Sequence, residues 1–125
     1  MKILPDTNFL IYLARFKLLD ELEHFEKVLI IKPVLKELVM ISKSEGKNDR
    51  QEDIIASKIA LMFFNQIKDR LEYVDSDGRA DDKIIGVAFE KSAIVGTMDK
   101  ALIKRLKEKK IKIAMIRQQK YLEVQ

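Results

Sequence analysis

The sequence contains no cysteine and only one histidine, His24. Without thiols there are no disulfides, no thiolate nucleophile and no cysteine-ligated zinc, and the composition fits a reducing cytoplasm, the expected location. A single histidine cannot form a histidine cluster. Any metal must therefore be held by oxygen, which favours Mg²⁺ or Mn²⁺. No apolar run reaches the ~20 residues of a membrane-spanning helix, so no membrane partner is expected. Pro5 and Asp6 break the opening apolar run too early for a signal peptide. Repeats, low-complexity tracts and long linkers are also missing, and residues 1–125 are expected to form a single domain.

Charge of one sign is not in large excess. The formal net charge is +4, with a pI near 9.2. This mild basicity permits nucleic-acid binding without requiring it.

What the chain does have is an alternation of short apolar runs and helical periodicities. Lys2-Ile3-Leu4-Pro5 reads as a strand ending at Asp6, and Asn8 is expected to cap the helix that starts with Phe9. Phe9, Leu10, Tyr12, Leu13 and Phe16 recur at helical spacing, with Phe9 and Tyr12 expected in the core. A break near Lys17 and Asp20 precedes a second short helix. Lys27–Ile31 reads as a strand buried on both faces, and Pro33 opens the next helix. Lys43–Asp53 reads as a polar loop, Ile54–Ile67 as an apolar helix, Leu71–Val74 as a strand and Asp75–Gly78 as a turn. A helix over Arg79–Lys91, a strand over Ala93–Thr97, an amphipathic helix from Ala101 and a last strand over Ile111–Ile116 complete the reading. Strands alternating with helices predict a parallel, doubly wound α/β sheet.

Acids stand at the ends of these elements: Asp6 after the first strand, Glu37 in the helix after the second, Asp81 and Asp82 at a helix start, and Asp99 after a later strand. In a parallel sheet such positions share one edge. Carboxylates gathered there need compensation, and a divalent cation is the usual one. The chemistry best served is metal-assisted hydrolysis of a phosphodiester.

Over nearly its whole length the chain resembles the PIN-domain ribonucleases. The resemblance rests on Asp6-Thr7-Asn8, on Pro33-Val34 followed by Glu37, on Asp82 with Ile84-Ile85 leading to Val87-Ala88, and on Thr97 with Asp99 and Leu102. It implies a three-layer α/β/α fold with a central parallel sheet and a Mg²⁺- or Mn²⁺-dependent endoribonuclease. By match to the motif, Asp6, Glu37, Asp82 and Asp99 would be the catalytic acids, with Asp6 and Asp82 the metal ligands. Thr7, Asn8 and Thr97 would orient them. Asp82 is preferred to Asp81 because the family pattern places its acid just before one residue and two aliphatics; Asp81 would then assist.

The family includes toxins of toxin–antitoxin pairs and nucleases of ribosomal RNA processing. RNA and an antitoxin protein are thus the implied partners, and the Arg79–Asp82 context leans toward the rRNA-processing branch. A non-cleaving RNA- or protein-binding module is the competing reading, opposed by the presence of all four acids. A basic run containing Lys104, Arg105, Lys107, Lys109 and Lys110 is either a solvated helix face or a footprint for the RNA backbone. The surplus of large apolar residues in the early helices and in Ile59–Ile67 predicts a homodimer.

Overall fold

The computed structural model describes residues 1–46, 48–76 and 78–125. The polar loop after Lys43 and the turn expected at Asp75–Gly78 each include one residue outside that set, Lys47 and Asp77 respectively.

Six strands form one sheet in the order β3-β2-β1-β4-β5-β6. They are β1 (Lys2–Pro5), β2 (Lys27–Ile31), β3 (Leu71–Val74), β4 (Ile94–Gly96), β5 (Ile113–Arg117) and β6 (Tyr121–Val124). The first five run parallel, and β6 pairs antiparallel with β5 as an edge strand. Helices α1 (Thr7–Arg15), α2 (Lys32–Ser42), α3 (Gln51–Gln66), α4 (Ala80–Lys91) and α5 (Lys100–Glu108) flank the sheet, giving the expected α/β/α architecture. No helix among the described residues is long and apolar enough to cross a membrane.

The central strands are apolar because both faces are covered: Ile3 and Leu4 of β1, Leu29, Ile30 and Ile31 of β2 and Val95 of β4 are all fully buried. At Gly96 a Cβ would lie 2.5 Å from Cε2 of Phe9. Only the absence of a side chain there lets the Phe9 ring lie against β4 and seats the start of α1 over the strand.

Four expectations are corrected. Asp6, not Asn8, caps α1; Asn8 is already inside the helix and exposed. Two strong capping residues stand two apart, and the chain leaves extended geometry directly after Pro5, so the first of them takes the position. The helix expected from Ile54 begins at Gln51, where Glu52 and Asp53 occupy the first turn favoured by the helix dipole. Tyr12 lies on the surface, 38% exposed, while Phe9 is fully buried. The strand expected to be last is followed by β6, across a tight turn at Gln118 and Gln119 with φ of 53° and 55°.

Candidate active site

Strand order reverses its direction of growth between β1 and β4, with β2 and β3 to one side and β5 and β6 to the other. In open α/β sheets a crevice forms at the carboxyl ends of the strands at such a point. Asp6 follows β1 there, and Thr97 to Asp99 follow β4. The Asp6 N–H donates to the Gly96 carbonyl at 2.9 Å, which extends the strand pairing to the aspartate itself.

Asp6 uses both carboxylate oxygens. Oδ1 accepts from the Phe9 N–H at 2.8 Å, the helix cap. Oδ2 accepts from the Thr97 hydroxyl at 2.5 Å. Thr97 is itself fully buried. Its Oγ1 also accepts from the Asp99 N–H at 3.1 Å. Asp99 in turn caps α5, its Oδ1 accepting from the Leu102 N–H at 3.1 Å. One hydroxyl therefore ties the tips of two adjacent strands and the starts of two helices.

Burial pushes the Asp6 carboxyl up from an ordinary 3.8 to about 6. The Thr97 hydroxyl and the Phe9 N–H oppose this rise, and the charges of Asp81 and Asp99 add to it. The charges of Asp81 and Asp99 thus reach Asp6, whose two donors do not fully offset the cost of its burial.

Among the described residues, no group of three or more His, Cys, Asp or Glu side chains is disposed to hold a metal ion. The donor set still fits a hard divalent cation. Mg²⁺ is commonly held by one or two carboxylates, with water and substrate phosphate completing the shell, and seldom by an all-protein cage. Each Asp6 oxygen accepts one hydrogen bond and keeps a free lone-pair direction.

The sequence profile described as PIN like domain matches residues 3–119. The chain belongs to the PIN-like domain family. Ribonuclease VapC4 of Methanocaldococcus jannaschii is 34% identical to this PIN-like chain, over 98% of the chain and 95% of the relative. Among solved structures, a domain of a functionally unknown protein from the same organism superposes with a TM-score of 0.62 at 20% identity, covering 93% of the PIN-like chain and 91% of that domain. This second likeness concerns the fold alone.

The remaining expected residues of the PIN-like chain fall in three places. Asp82 is exposed and accepts from Arg105 Nη2 at 2.8 Å. That guanidinium holds its carboxyl below the usual range, and Asp82 is not among the charges that shift Asp6. The helix phase explains the difference between the two acids. Asp81 precedes the buried Ile84, Ile85 and Ala88 by three, four and seven residues and so continues the stripe facing the sheet, while Asp82 turns toward α5. Glu37 is exposed on α2, where it lines a cavity of about 520 Å³ with Met40, Ser44 and Asp49. It too is absent from the charges acting on Asp6. Thr7 is buried in the first turn of α1. Among the described residues, neither Thr7 nor Asn8 donates to Asp6, whose two partners are Phe9 and Thr97.

The basic run is also divided. Arg105 is occupied by Asp82. Lys104 and Lys107 are exposed on α5. Lys109 and Lys110 line a cavity with Met1, Ala93 and Ile94, at the amino ends of β1 and β4 and thus opposite the crevice.

Proposed function

We propose that the chain is a metal-dependent endoribonuclease that hydrolyses RNA phosphodiesters at the β1–β4 crevice. The observation that carries this reading is the half-buried Asp6, locked by Thr97 and raised in pKa by burial and by the charges of Asp81 and Asp99. Kinship with a ribonuclease over nearly the full length of both chains supports it.

Asp6 and Asp99 would hold a Mg²⁺ or Mn²⁺ ion, with Asp81 from the start of α4. When bound, that cation supplies charge neutralisation at the scissile phosphate and lowers the pKa of a coordinated water. The chain's own residues do the positioning. Thr97 fixes the rotamer of Asp6 and the backbone of Asp99 together, so the two carboxylates keep their relative geometry without rearranging when substrate arrives. The N-termini of α1 and α5 direct free N–H groups and positive dipole ends toward the same edge, where they favour an anionic phosphate. Asp82 and Glu37 enter the proposal as outer acids. Glu37 would act from α2, and Asp82 would hold Arg105.

The toxin of a toxin–antitoxin pair is the setting this reading favours, with an antitoxin as partner; a role in ribosomal RNA processing is the alternative. Homodimerisation belongs to the same proposal, supported by Ile55, Ile59 and Met62 exposed along α3. Sedimentation equilibrium tests it: a mass fixed at 14.6 kDa at all micromolar concentrations would remove it.

The deciding experiment incubates the chain with single-stranded RNA in Mg²⁺, in Mn²⁺ and in chelator. Cleavage is expected with either metal and none with chelator, and Asp6→Asn and Asp99→Asn are expected to abolish it. Equal cleavage in chelator, or full activity in both variants, would overturn the proposal.

A further inference from the structure

The first helix and the edge hairpin enclose a cavity of about 310 Å³ lined by Tyr12, Phe16, Met98, Ile116, Gln118 and Gln119. It adjoins the crevice directly, because Met98 stands between Thr97 and Asp99. The Ile116 N–H donates to Met98 Sδ at 3.3 Å, which fixes that side of the wall to β5. On the other side the Tyr12 and Phe16 rings stack, their centroids 5.9 Å apart and their planes within 7°. The Arg15 guanidinium lies over both rings, 5.7 and 5.6 Å from their centroids. Nothing in the core explains Tyr12: it is 38% exposed and faces this space.

The rim is as unusual as the wall. Gln118 and Gln119 both hold positive φ, and the Lys120 N–H closes the turn on the Arg117 carbonyl at 3.0 Å. The loop between the paired Arg117 and Tyr121 is three residues long, and left-handed positions in hairpin loops strongly prefer glycine, asparagine and aspartate. Glutamine adopts the left-handed region only at a cost, and here two do so in succession. The turn retains two long amides at the mouth of an apolar pocket where shorter residues would fold more easily.

We infer that this pocket receives one unstacked nucleobase of the RNA, adjacent to the nucleotide whose phosphate lies at Asp6 and Asp99, and that the Gln118 and Gln119 amides read its polar edge. The inference rests on the endoribonuclease reading above and adds a base preference to it. Three features fit a nucleobase. The volume is at the small end of ligand pockets, which run from ~300 Å³. Aromatic side chains are the surfaces on which splayed bases stack. An amide offers a donor and an acceptor side by side, the pairing that base edges present.

The test measures binding of fluorescent hexamers of oligo(A), oligo(C), oligo(G) and oligo(U) to the full chain in chelator, where no cleavage is expected. The variants are Gln118→Gly/Gln119→Gly, which keeps the backbone the turn prefers and removes both amides, and Tyr12→Leu beside Tyr12→Phe. The wild type is expected to favour one base by about tenfold, the size of a single good base contact. The double glycine variant should bind all four within about twofold, with an unchanged or higher thermal midpoint. Tyr12→Leu should lose about tenfold in affinity for every hexamer, and Tyr12→Phe should keep it. Hexamers bound without preference by the wild type, or a preference undiminished in the double variant, would overturn the base pocket while leaving the nuclease reading intact. No hexamer bound and no RNA cleaved would overturn both.

Discussion

Thr97 Oγ1 lies 2.5 Å from Asp6 Oδ2, a contact between residues 91 positions apart in sequence. The same oxygen accepts the Asp99 N–H, so its loss frees two acids at once. Thr97→Val keeps the shape and deletes the hydroxyl. A hydrogen bond to a charged group contributes about 1.5–3 kcal/mol. Urea unfolding at pH 7 should therefore show a loss within that range, shrinking near pH 4 where Asp6 is protonated. An equal loss at both pH values would mean that the hydroxyl serves packing and not the carboxylate.

The raised Asp6 carboxyl predicts how metal-free stability varies with pH. A folded value near 6 exceeds the ordinary 3.8, so the folded protein binds the proton more tightly than the unfolded chain. The resulting stabilisation is complete below about pH 4 and disappears as pH rises through about 6. At ~1.4 kcal/mol per pH unit the span is on the order of 3 kcal/mol. In Asp6→Asn this contribution should vanish, and metal-free stability at pH 7 should hold or rise. Added Mg²⁺ should then raise the thermal midpoint of the wild type and leave that of Asp6→Asn where it was. A decline between pH 4 and 6 that survives in the variant would assign it to another group.

Asp81 and Asp82 are separable by kinetics. Asp81 acts on Asp6, whereas Asp82 is engaged by Arg105. Asp81→Asn should lower cleavage by roughly a hundredfold, the upper range for groups that support a metal site. Asp82→Asn should change it little. The reverse order of losses would make Asp82 the ligand, as the family pattern implies.

The sheet divides the basic run by position. Lys109 and Lys110 lie at its amino end, away from the crevice. Neutralising both should leave the slope of log affinity against log salt unchanged. Neutralising Lys100 and Lys104, on the first turns of α5, should lower it by ~0.7 for each RNA phosphate that is no longer neutralised. A slope that follows Lys109 and Lys110 would place the RNA track on the opposite edge.

Much of this architecture was legible in the sequence, because strand and helix periods alternate cleanly and Pro33 and Asp99 punctuate them. The strand over Leu71–Val74 and the acids at the tips of β1 and β4 stand where they were expected. The β5–β6 hairpin was not legible, since its turn is made of Gln118 and Gln119 and carries neither glycine nor asparagine. Thr97 was expected to orient the acids by resemblance alone; that one hydroxyl joins Asp6 to Asp99 depends on β1 and β4 being neighbours, a fact no local pattern encodes. Tyr12 was misplaced because it sits beside core residues in a helix whose outer face is also aromatic.

The pairing of β1 with β4 sets an order of events during synthesis. β1 is made before both of its neighbours: Ile3 pairs with Val28 on one side, but the partner that completes its other edge is Ile94 of β4, some ninety residues later. Until then Asp6 has neither the Thr97 hydroxyl nor Asp99 beside it, and pairings of such long sequence separation form late. A nascent or truncated chain that stops short of β4 cannot assemble the crevice. The crevice is thus assembled only after β4 has been made, however early β1 and α1 take shape.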